Sequence, residues 1–311
     1  MREKAHVREV GPRDGLQMVK TILPSERKLA WCRGVAVAGI RDVEVTSFVP
    51  PNVVPQFADA EEVARGALAM GGFRPSVLVP NLKGAERAFA LELPQINYVL
   101  SASEEHNLAN VRRTTEESLQ DFARIAAVRD QRAGIRISLA GGIATAFGYT
   151  IAGAVSEARV VEIAMRLAEM GADEIIVADT VGYGDPGQVR RLMTAVIASV
   201  GKVPVVCHFH DTRGLGLANV TAALEAGVRA FDASLAGLGG CPFAPGATGN
   251  IDTEDTIFLL EQLGFDTGVD VEALIALRRE VEKWLPGERF AGAIARAGLP
   301  KTYRARSRVA A

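Results

Sequence analysis

Short apolar runs alternate with longer stretches of helical period along almost the whole chain. The runs predict strands at His6–Val10, Asp42–Thr46, Ser76–Val79, Ile96–Ser101, Gly134–Leu139, Glu174–Ala178, Val203–His208 and Ala230–Ser234. Between them, segments such as "SERKLAWCRGVAVAG", "ADAEEVARGALAMG" and "EESLQDFARIAAVRDQ" repeat apolar residues at the spacing of one helix face. Predicted helices over Ala154–Met170, Pro186–Val200 and Leu215–Ala226 each run into a glycine or small residue suited to a C-cap. Eight β-then-α units predict an α/β fold with the parallel sheet closed as a TIM (β/α)8 barrel. An open doubly wound sheet has the same local pattern but rarely needs eight equivalent units, and no GxGxxG follows the first strand. The barrel is expected over about residues 5–250. Extra C-terminal helices follow over about 251–290, in "TEDTIFLLEQLG" and "VDVEALIALRREVEKWL", and then a tail over 291–311. No Pro- or Ser-rich linker interrupts the pattern, so 1–311 reads as a single catalytic domain.

In such a barrel, chemistry belongs on the loops at the C-terminal ends of the strands. The polar residues of this chain collect there. The first strand ends in "REVGPRDGLQ" (Glu9, Arg13, Asp14, Gln17), the second in "VEVTSFVPP" (Glu44, Ser47), and the sixth in "VADTVGYG" (Asp179, Thr180). The seventh ends in "CHFHDT", which holds two of the four histidines. Residues i and i+2 of a strand share a face, so His208 and His210 present paired imidazoles. Two imidazoles and a carboxylate make a common divalent-metal ligand set, for which Asp14 is the favoured carboxylate. Asp211 is nearer in sequence but points to the opposite face. Two hydrogen-bonded histidines at the edge of a core are the simpler alternative. Arg13 beside Asp14 is either a surface ion pair or a group that holds a developing oxyanion.

The eighth strand opens into Gly237–Asn250, where five glycines and two prolines surround Cys241. Glycines supply hinges, so this stretch reads as a mobile active-site loop or as an irregular turn into the last helices.

Composition narrows the functional classes. The net charge of -2, with no sign dominating, argues against a nucleic-acid or membrane-surface partner. "YRARSR" near the end is a local basic run, expected to be a solvated tail. "MREKAHVREVGP" lacks the apolar core of a signal peptide and no stretch reaches membrane-span length. Three cysteines without CxxC spacing make a disulfide framework improbable, so a cytoplasmic setting is expected.

The motifs "EVGPRDGLQ", "VEVTSFV", "VPNLKGAERA", "ADTVGYG", "HFHDTRGLGLANV" and "AGLGGCPFAPGATGN" together resemble the 3-hydroxy-3-methylglutaryl-CoA lyase family of DRE-TIM metallolyases. The last of these resembles the family's cysteine-loop signature. The resemblance implies one divalent cation, Mg or Mn, held by Asp14, His208, His210 and Asn250. It implies catalytic roles for Arg13 and Cys241, with Glu44 and Asp179 supporting the site. From their places at the strand ends, Gln17, Ser47 and Thr180 are expected to join Arg13 around the substrate. The implied reaction is a metal-dependent retro-Claisen cleavage of an acyl-CoA to a keto acid and acetyl-CoA. His208 or a metal-linked group such as Asp14 would remove the hydroxyl proton, Arg13 would steady the enolate oxygen, and Cys241 would protonate the enolate carbon. Family members commonly pair, so a homodimer or other homo-oligomer is expected.

Two stretches depart from the family pattern. The fifth strand reads "SLAGGIATAFGYT" where a cysteine-containing "GCP" is usual, and Pro50–Gln56 reads "PPNVVPQ" in place of "SPKWVPQ". These changes fit either a related 3-hydroxy acyl-CoA substrate or neutral drift. Isopropylmalate- or citramalate-type synthases share the Arg-Asp turn and the paired histidines but normally lack "GLGGCP". An aldolase acting on a free 4-hydroxy-2-oxo acid would differ in needing no CoA.

Overall fold

The computed structural model describes residues 2–132, 134, 136–240 and 249–303. Among them, eight parallel strands close into a barrel in chain order. They are β1 (His6–Glu9), β2 (Asp42–Ser47), β3 (Arg74–Val79), β4 (Gln95–Ser101), β5 (Ser138–Ala144), β6 (Glu174–Asp179), β7 (Val205–Phe209) and β8 (Ala230–Ala233). The surrounding helices are α1 (Ser25–Ala38), α2 (Ala60–Met70), α3 (Leu82–Ala90), α4 (Glu104–Val111), α5 (Thr115–Asp130), α6 (Glu157–Glu169), α7 (Pro186–Ser199) and α8 (Gly216–Glu225). The expected TIM barrel is present, closed where β1 pairs with β8 in the register His6 to Ala230 through Glu9 to Ala233.

Local sequence rules account for the helix ends. Gly171, Gly201 and Gly227 follow the three predicted helices with φ of +92°, +65° and +105°, a left-handed conformation that stops a helix at little cost in glycine. Asp185 accepts from the amides of Gly187 and Gln188 and so starts α7 at Pro186. Thr114 and Glu117 form a capping box at the start of α5. Outward strand residues and one stripe of each helix build the core, where Trp31, Phe57, Phe89, Phe122, Phe209 and Phe231 are fully buried. Each such large apolar side chain contributes about 1.5–3 kcal/mol by leaving water.

Two elements differ from the sequence pattern. The fifth strand lies at Ser138–Ala144 rather than Gly134–Leu139, because Gly141 and Gly142 act as strand residues rather than breakers. A Cβ on Gly141 would sit 3.0 Å from Leu167 of α6, and one on Gly142 would sit 2.9 Å from Val99 of β4. Glycine is required there by close packing on both faces. In addition, a short helix, α4, precedes α5, the helix that holds most of "EESLQDFARIAAVRDQ".

After the barrel come α9 (Thr253–Gln262), α10 (Val271–Trp284) and α11 (Ile294–Ala297). Helix α10 packs closely on α1 at Gly34, whose absent side chain leaves room for Leu277. The expected tail is fastened as far as it is described. Asp255 accepts from the amides of Ala293 and Ile294 at 2.6 and 2.8 Å, and Tyr303 Oη donates to Glu261 at 2.8 Å. The basic run lies largely outside the described residues. No helix among them is long and apolar enough to cross a membrane.

The barrel interior is divided. Ala140, Ile176 and Val206, with Ala230 against them, form a small apolar cluster on the β5–β8 side. Arg8, Glu44, Ser76, Gln95 and Asn97 are buried polar residues on the other side, where barrels of this kind usually carry branched aliphatic side chains.

Candidate active site

Beyond β1 the chain makes one π-helical turn, Gly11–Gly15. Glu9 anchors it. One of its oxygens accepts from the amides of Gly11 and Leu235, both at 2.9 Å, and the other from Thr253 Oγ1 at 2.8 Å. Glu9 therefore faces out of the barrel and ties the ends of β1 and β8 together instead of joining the rim. A Cβ on Gly11 would collide with the Glu9 carboxylate and with Trp31, which explains the glycine of "GPRDG".

The turn brings Arg13 and Asp14 over the polar half of the barrel. Arg13 Nε donates to Glu44 Oε2 at 2.5 Å and its Nη1 to Asp14 Oδ1 at 2.5 Å. Glu44 Oε1 accepts from Asn97 Nδ2 at 2.8 Å. The register of β2 on β3 shifts between Glu44 and Thr46, the kind of bulge that re-aims side chains beside a site. Two of Arg13's three nitrogens, Nε and Nη1, are thus committed to carboxylates. Burial would raise the Asp14 carboxyl, but Arg13 and then His210 and His208 hold it well below the usual carboxylate range.

His208 ends β7 and His210 stands just past it, bridged to Asn250. The two imidazoles are 5.2 Å apart between ring centres, and one ligand atom from each of Asp14, His208 and His210 falls within 4.8 Å of the others. Asn250 Nδ2 donates to Asp14 Oδ2 at 2.8 Å and to the Leu238 carbonyl at 3.1 Å. Among the described residues, Asn250 Oδ1 and His210 Nδ1 are buried atoms without a hydrogen-bond partner. An unsatisfied buried acceptor is costly, and Asn250 Oδ1 beside a carboxylate and two imidazoles fits a cation better than a purely structural pair of histidines. The donors are oxygens and imidazole nitrogens, a set able to hold a divalent cation.

The other expected residues fall around this centre in different ways. Both Asp179 oxygens accept backbone amides, from Tyr183 at 2.8 Å and Gly184 at 2.9 Å, so its carboxylate shapes the loop after β6. Thr180 Oγ1 accepts from the Thr145 amide at 2.7 Å and joins the ends of β5 and β6. Ser47 is fully buried, with its hydroxyl directed to the Leu78 carbonyl and the Val49 amide; it belongs to the backbone turn rather than to an open rim. Gln17 is half-buried just after the Gly11–Gly15 turn. Asp211 accepts from the Gly216 amide at 2.8 Å, away from the imidazole pair. Cys241 lies outside the described residues.

Sequence reasoning missed Asp232 and Arg8. Asp232 Oδ2 lies 3.2 Å from His208 Nδ1, and Arg8 grips the same carboxylate through Nε at 2.7 Å and Nη2 at 3.0 Å. A charged residue within a strand buried on both faces was the available signal, in "HVREV" and "AFDAS". Desolvation pulls the His208 pKa down, but the hydrogen bond to Asp232 and the charges of Asp14 and Asp232 outweigh it and leave the imidazole above its ordinary value.

Residues 4–281 match the HMGL-like family model. The chain belongs to the HMGL-like family. It is 41% identical over 273 residues to a hydroxymethylglutaryl-CoA lyase of Rattus norvegicus, covering 88% of this chain and 83% of the relative. It is 42% identical over 284 residues to an (R)-citramalyl-CoA lyase of Chloroflexus aurantiacus, covering 88% of this chain and 89% of that one. Among solved structures, an HMG-CoA lyase from Acinetobacter baumannii in complex with coenzyme A and 3-methylmalate superposes with a TM-score of 0.90 at 39% identity, covering 98% of both chains. The synthase and aldolase alternatives have no counterpart in these relatives, which are lyases of CoA thioesters by name.

Proposed function

We propose that this HMGL-like chain is a metal-dependent carbon–carbon lyase that cleaves 3-hydroxy-3-methylglutaryl-CoA, or a close 3-hydroxy acyl-CoA, to a keto acid and acetyl-CoA. The observation that carries the reading is the convergence of Asp14, His208 and His210 beside an arginine held by two carboxylates. Asp14, His208, His210 and Asn250 would hold Mg or Mn. When bound, that cation supplies Lewis acidity that makes a substrate hydroxyl easier to deprotonate.

The chain's own groups supply the rest. A basic side chain at the centre takes the proton of the tertiary hydroxyl; with His208 Nδ1 bonded to Asp232 and its Nε2 offered to the cation, Asp14 is the candidate of the two. The electron pair of that oxygen forms the ketone as the bond to the thioester's α-carbon breaks, and the departing carbon becomes an enolate. Arg13 presents Nη2 to the enolate oxygen. Its orientation is fixed beforehand by Glu44 and Asp14, so little reorganisation accompanies the charge shift. Cys241, by resemblance, returns a proton to the enolate carbon. Asp179, Thr180, Ser47 and Gln17 act at the substrate's surroundings, the first three through the loops they brace. We further infer a reducing, cytoplasmic setting, in keeping with Cys32 and Cys207 as buried free thiols, and a homo-oligomeric assembly.

A second reading has its own support. The citramalyl-CoA lyase relative and the departures at 50–56 and in β5 favour a thioester with a different substituent at C3. The deciding experiment supplies purified protein and Mg2+ or Mn2+ with each thioester in turn. Acetoacetate plus acetyl-CoA from the hydroxymethylglutaryl thioester is the expected result. Pyruvate plus acetyl-CoA from the citramalyl thioester alone would select the second reading, and no cleavage of either would overturn both.

A further inference from the structure

The polar groups inside the barrel form a continuous chain from one proposed metal ligand to another. It begins at His208 Nδ1, passes to Asp232 at 3.2 Å and then to Arg8 at 2.7 Å. Arg8 Nη1 donates to Glu174 Oε1 at 2.9 Å, which also accepts from Gln95 Nε2 at 3.4 Å. Gln95 donates to Asn97 Oδ1 at 2.9 Å, Asn97 to Glu44 at 2.8 Å, and Arg13 joins Glu44 to Asp14. Arg8, Asp232, Glu44 and Asn97 are all at least nine-tenths buried. A buried ionic group seldom improves stability over an apolar one of similar shape, so three of them, with the Asn97 amide, crossing a barrel that could be filled with valine and leucine call for a functional account.

We propose that Asp232 is a positioning residue for the metal centre, acting through His208, with Arg8 as the buried counter-ion that keeps it a carboxylate. An ionised carboxylate can only accept a hydrogen bond. It therefore obliges His208 to carry its proton on Nδ1 and leaves Nε2 as the nitrogen offered to a cation. It also fixes the ring's rotation, as carboxylate partners of metal-binding histidines generally do. Arg8 is suited to this task. Its fork spans both Asp232 oxygens, while Nη1 reaches Glu174, so the charge of Asp232 is balanced, and Oδ2, with more than one lone pair, faces both Arg8 Nη2 and His208 Nδ1. The register assists, because Arg8 and Asp232 are directly opposed partners in the β1–β8 pairing, and Asp232 is paired in turn with His208 across β7–β8. One row of three adjacent strands thus supplies the cation, the carboxylate and the ligand.

The inference rests on the proposed metal centre, and its test separates the two. Two variants are compared with the wild type: Asp232→Asn, and the double variant Arg8→Gln with Asp232→Asn, which removes both buried charges together. Folding is checked by thermal melting. Free Mn2+ is titrated by its electron paramagnetic resonance signal, and the tautomer of His208 is read from 15N-labelled histidine spectra of the Mg2+-treated protein, assigned with His208→Gln. Only four histidines contribute. The wild type should give the Nδ1–H tautomer. In both variants an amide can present either its oxygen or its NH2 to the ring, so mixed tautomers and a Mn2+ affinity about 10- to 100-fold weaker are expected. Should Asp232→Asn fail to fold, the charge-free double variant gives the reading. Wild-type affinity in a folded variant, or an Nε2–H tautomer in the wild type, overturns the proposal. Failure of the wild type to bind Mn2+ would overturn the lyase reading instead, and the tautomer measurement would still decide the role of Asp232.

Discussion

Asn250 Nδ2 donates to Asp14 Oδ2 at 2.8 Å across a sequence separation of 236 residues. This bond joins the turn after β1 to the far end of the glycine-rich stretch, and it sets which atom of each residue faces the centre. The amide nitrogen is spent on Asp14 and Leu238, so Asn250 Oδ1 is left unsatisfied. Asn250→Ala should therefore lower Mn2+ affinity by about tenfold or more, since it deletes one oxygen donor and frees Asp14 to rotate. Calorimetric titration of the folded variant checks this; unchanged affinity would remove Asn250 from the ligand set.

Metal removal is the broader check on the same centre. Exhaustive chelation followed by gel filtration should abolish thioester cleavage, and added Mg2+ or Mn2+ should restore it. Full activity in the chelated protein would exclude the metal role.

Arg13 sits between two carboxylates, Glu44 and Asp14, and in the proposed mechanism its Nη2 meets the enolate. Arg13→Gln keeps a donor for Glu44 but removes the charge that meets the enolate. Turnover should fall by about 10²–10³-fold, the scale seen when one transition-state donor is lost. If KM changes while kcat does not, Arg13 contributes to binding alone.

The neck of the glycine-rich stretch is tight. Gly239 has φ of +136°, and a Cβ there would lie 2.6 Å from Asn250 Nδ2. Gly239→Ala should displace Asn250 and reduce metal affinity, with a destabilisation of about 1–3 kcal/mol from backbone strain. Gly71→Ala is the control: φ is also positive there, at +65°, but nothing lies within 4 Å of the added carbon. Equal effects on metal binding from the two substitutions would refute the argument.

His106 predicts how the fold responds to acid. It is buried, with Nδ1 2.6 Å from Ser101 Oγ, and desolvation lowers its pKa to about 4. The unfolded chain titrates near 6.5, so it binds the proton more readily than the native state between those values. The neutral ring's contribution, up to about 3 kcal/mol, is complete above pH 6.5 and is lost as the pH falls through 4. Urea unfolding of the wild type should weaken over that window, and His106→Gln should flatten the loss. Parallel curves for the two proteins would rule out His106 as a source.

Much of this molecule was legible in its sequence, because hydrophobic period is a local property that the fold must respect. The alternation of apolar runs and helical stretches determined eight strands and their order, and the glycines after α6, α7 and α8 marked real helix ends. The paired imidazoles of "CHFHDT" and the "GPRDG" turn were also visible, since polar residues at strand ends converge on one rim in a barrel whatever the details. The strand at Ser138–Ala144 was misjudged because a Gly-Gly pair looks like a break until Leu167 and Val99 are seen to need the space.

Tertiary structure decided the rest. Glu9 and Glu44 both stand at strand ends that a sequence reading assigns to the rim, yet Glu9 faces the helices and Glu44 holds Arg13, a difference of strand facing that depends on register. Ser47 and Asp179 had the right position for the rim, but their polar atoms serve nearby backbone. The pairing of His208 with Asp232, of Asp232 with Arg8, and of Asp14 with Asn250 joins residues far apart in the chain. Sequence spacing carries no trace of such contacts, because only closure of the barrel brings β1 beside β8 and makes neighbours of its first and last strands.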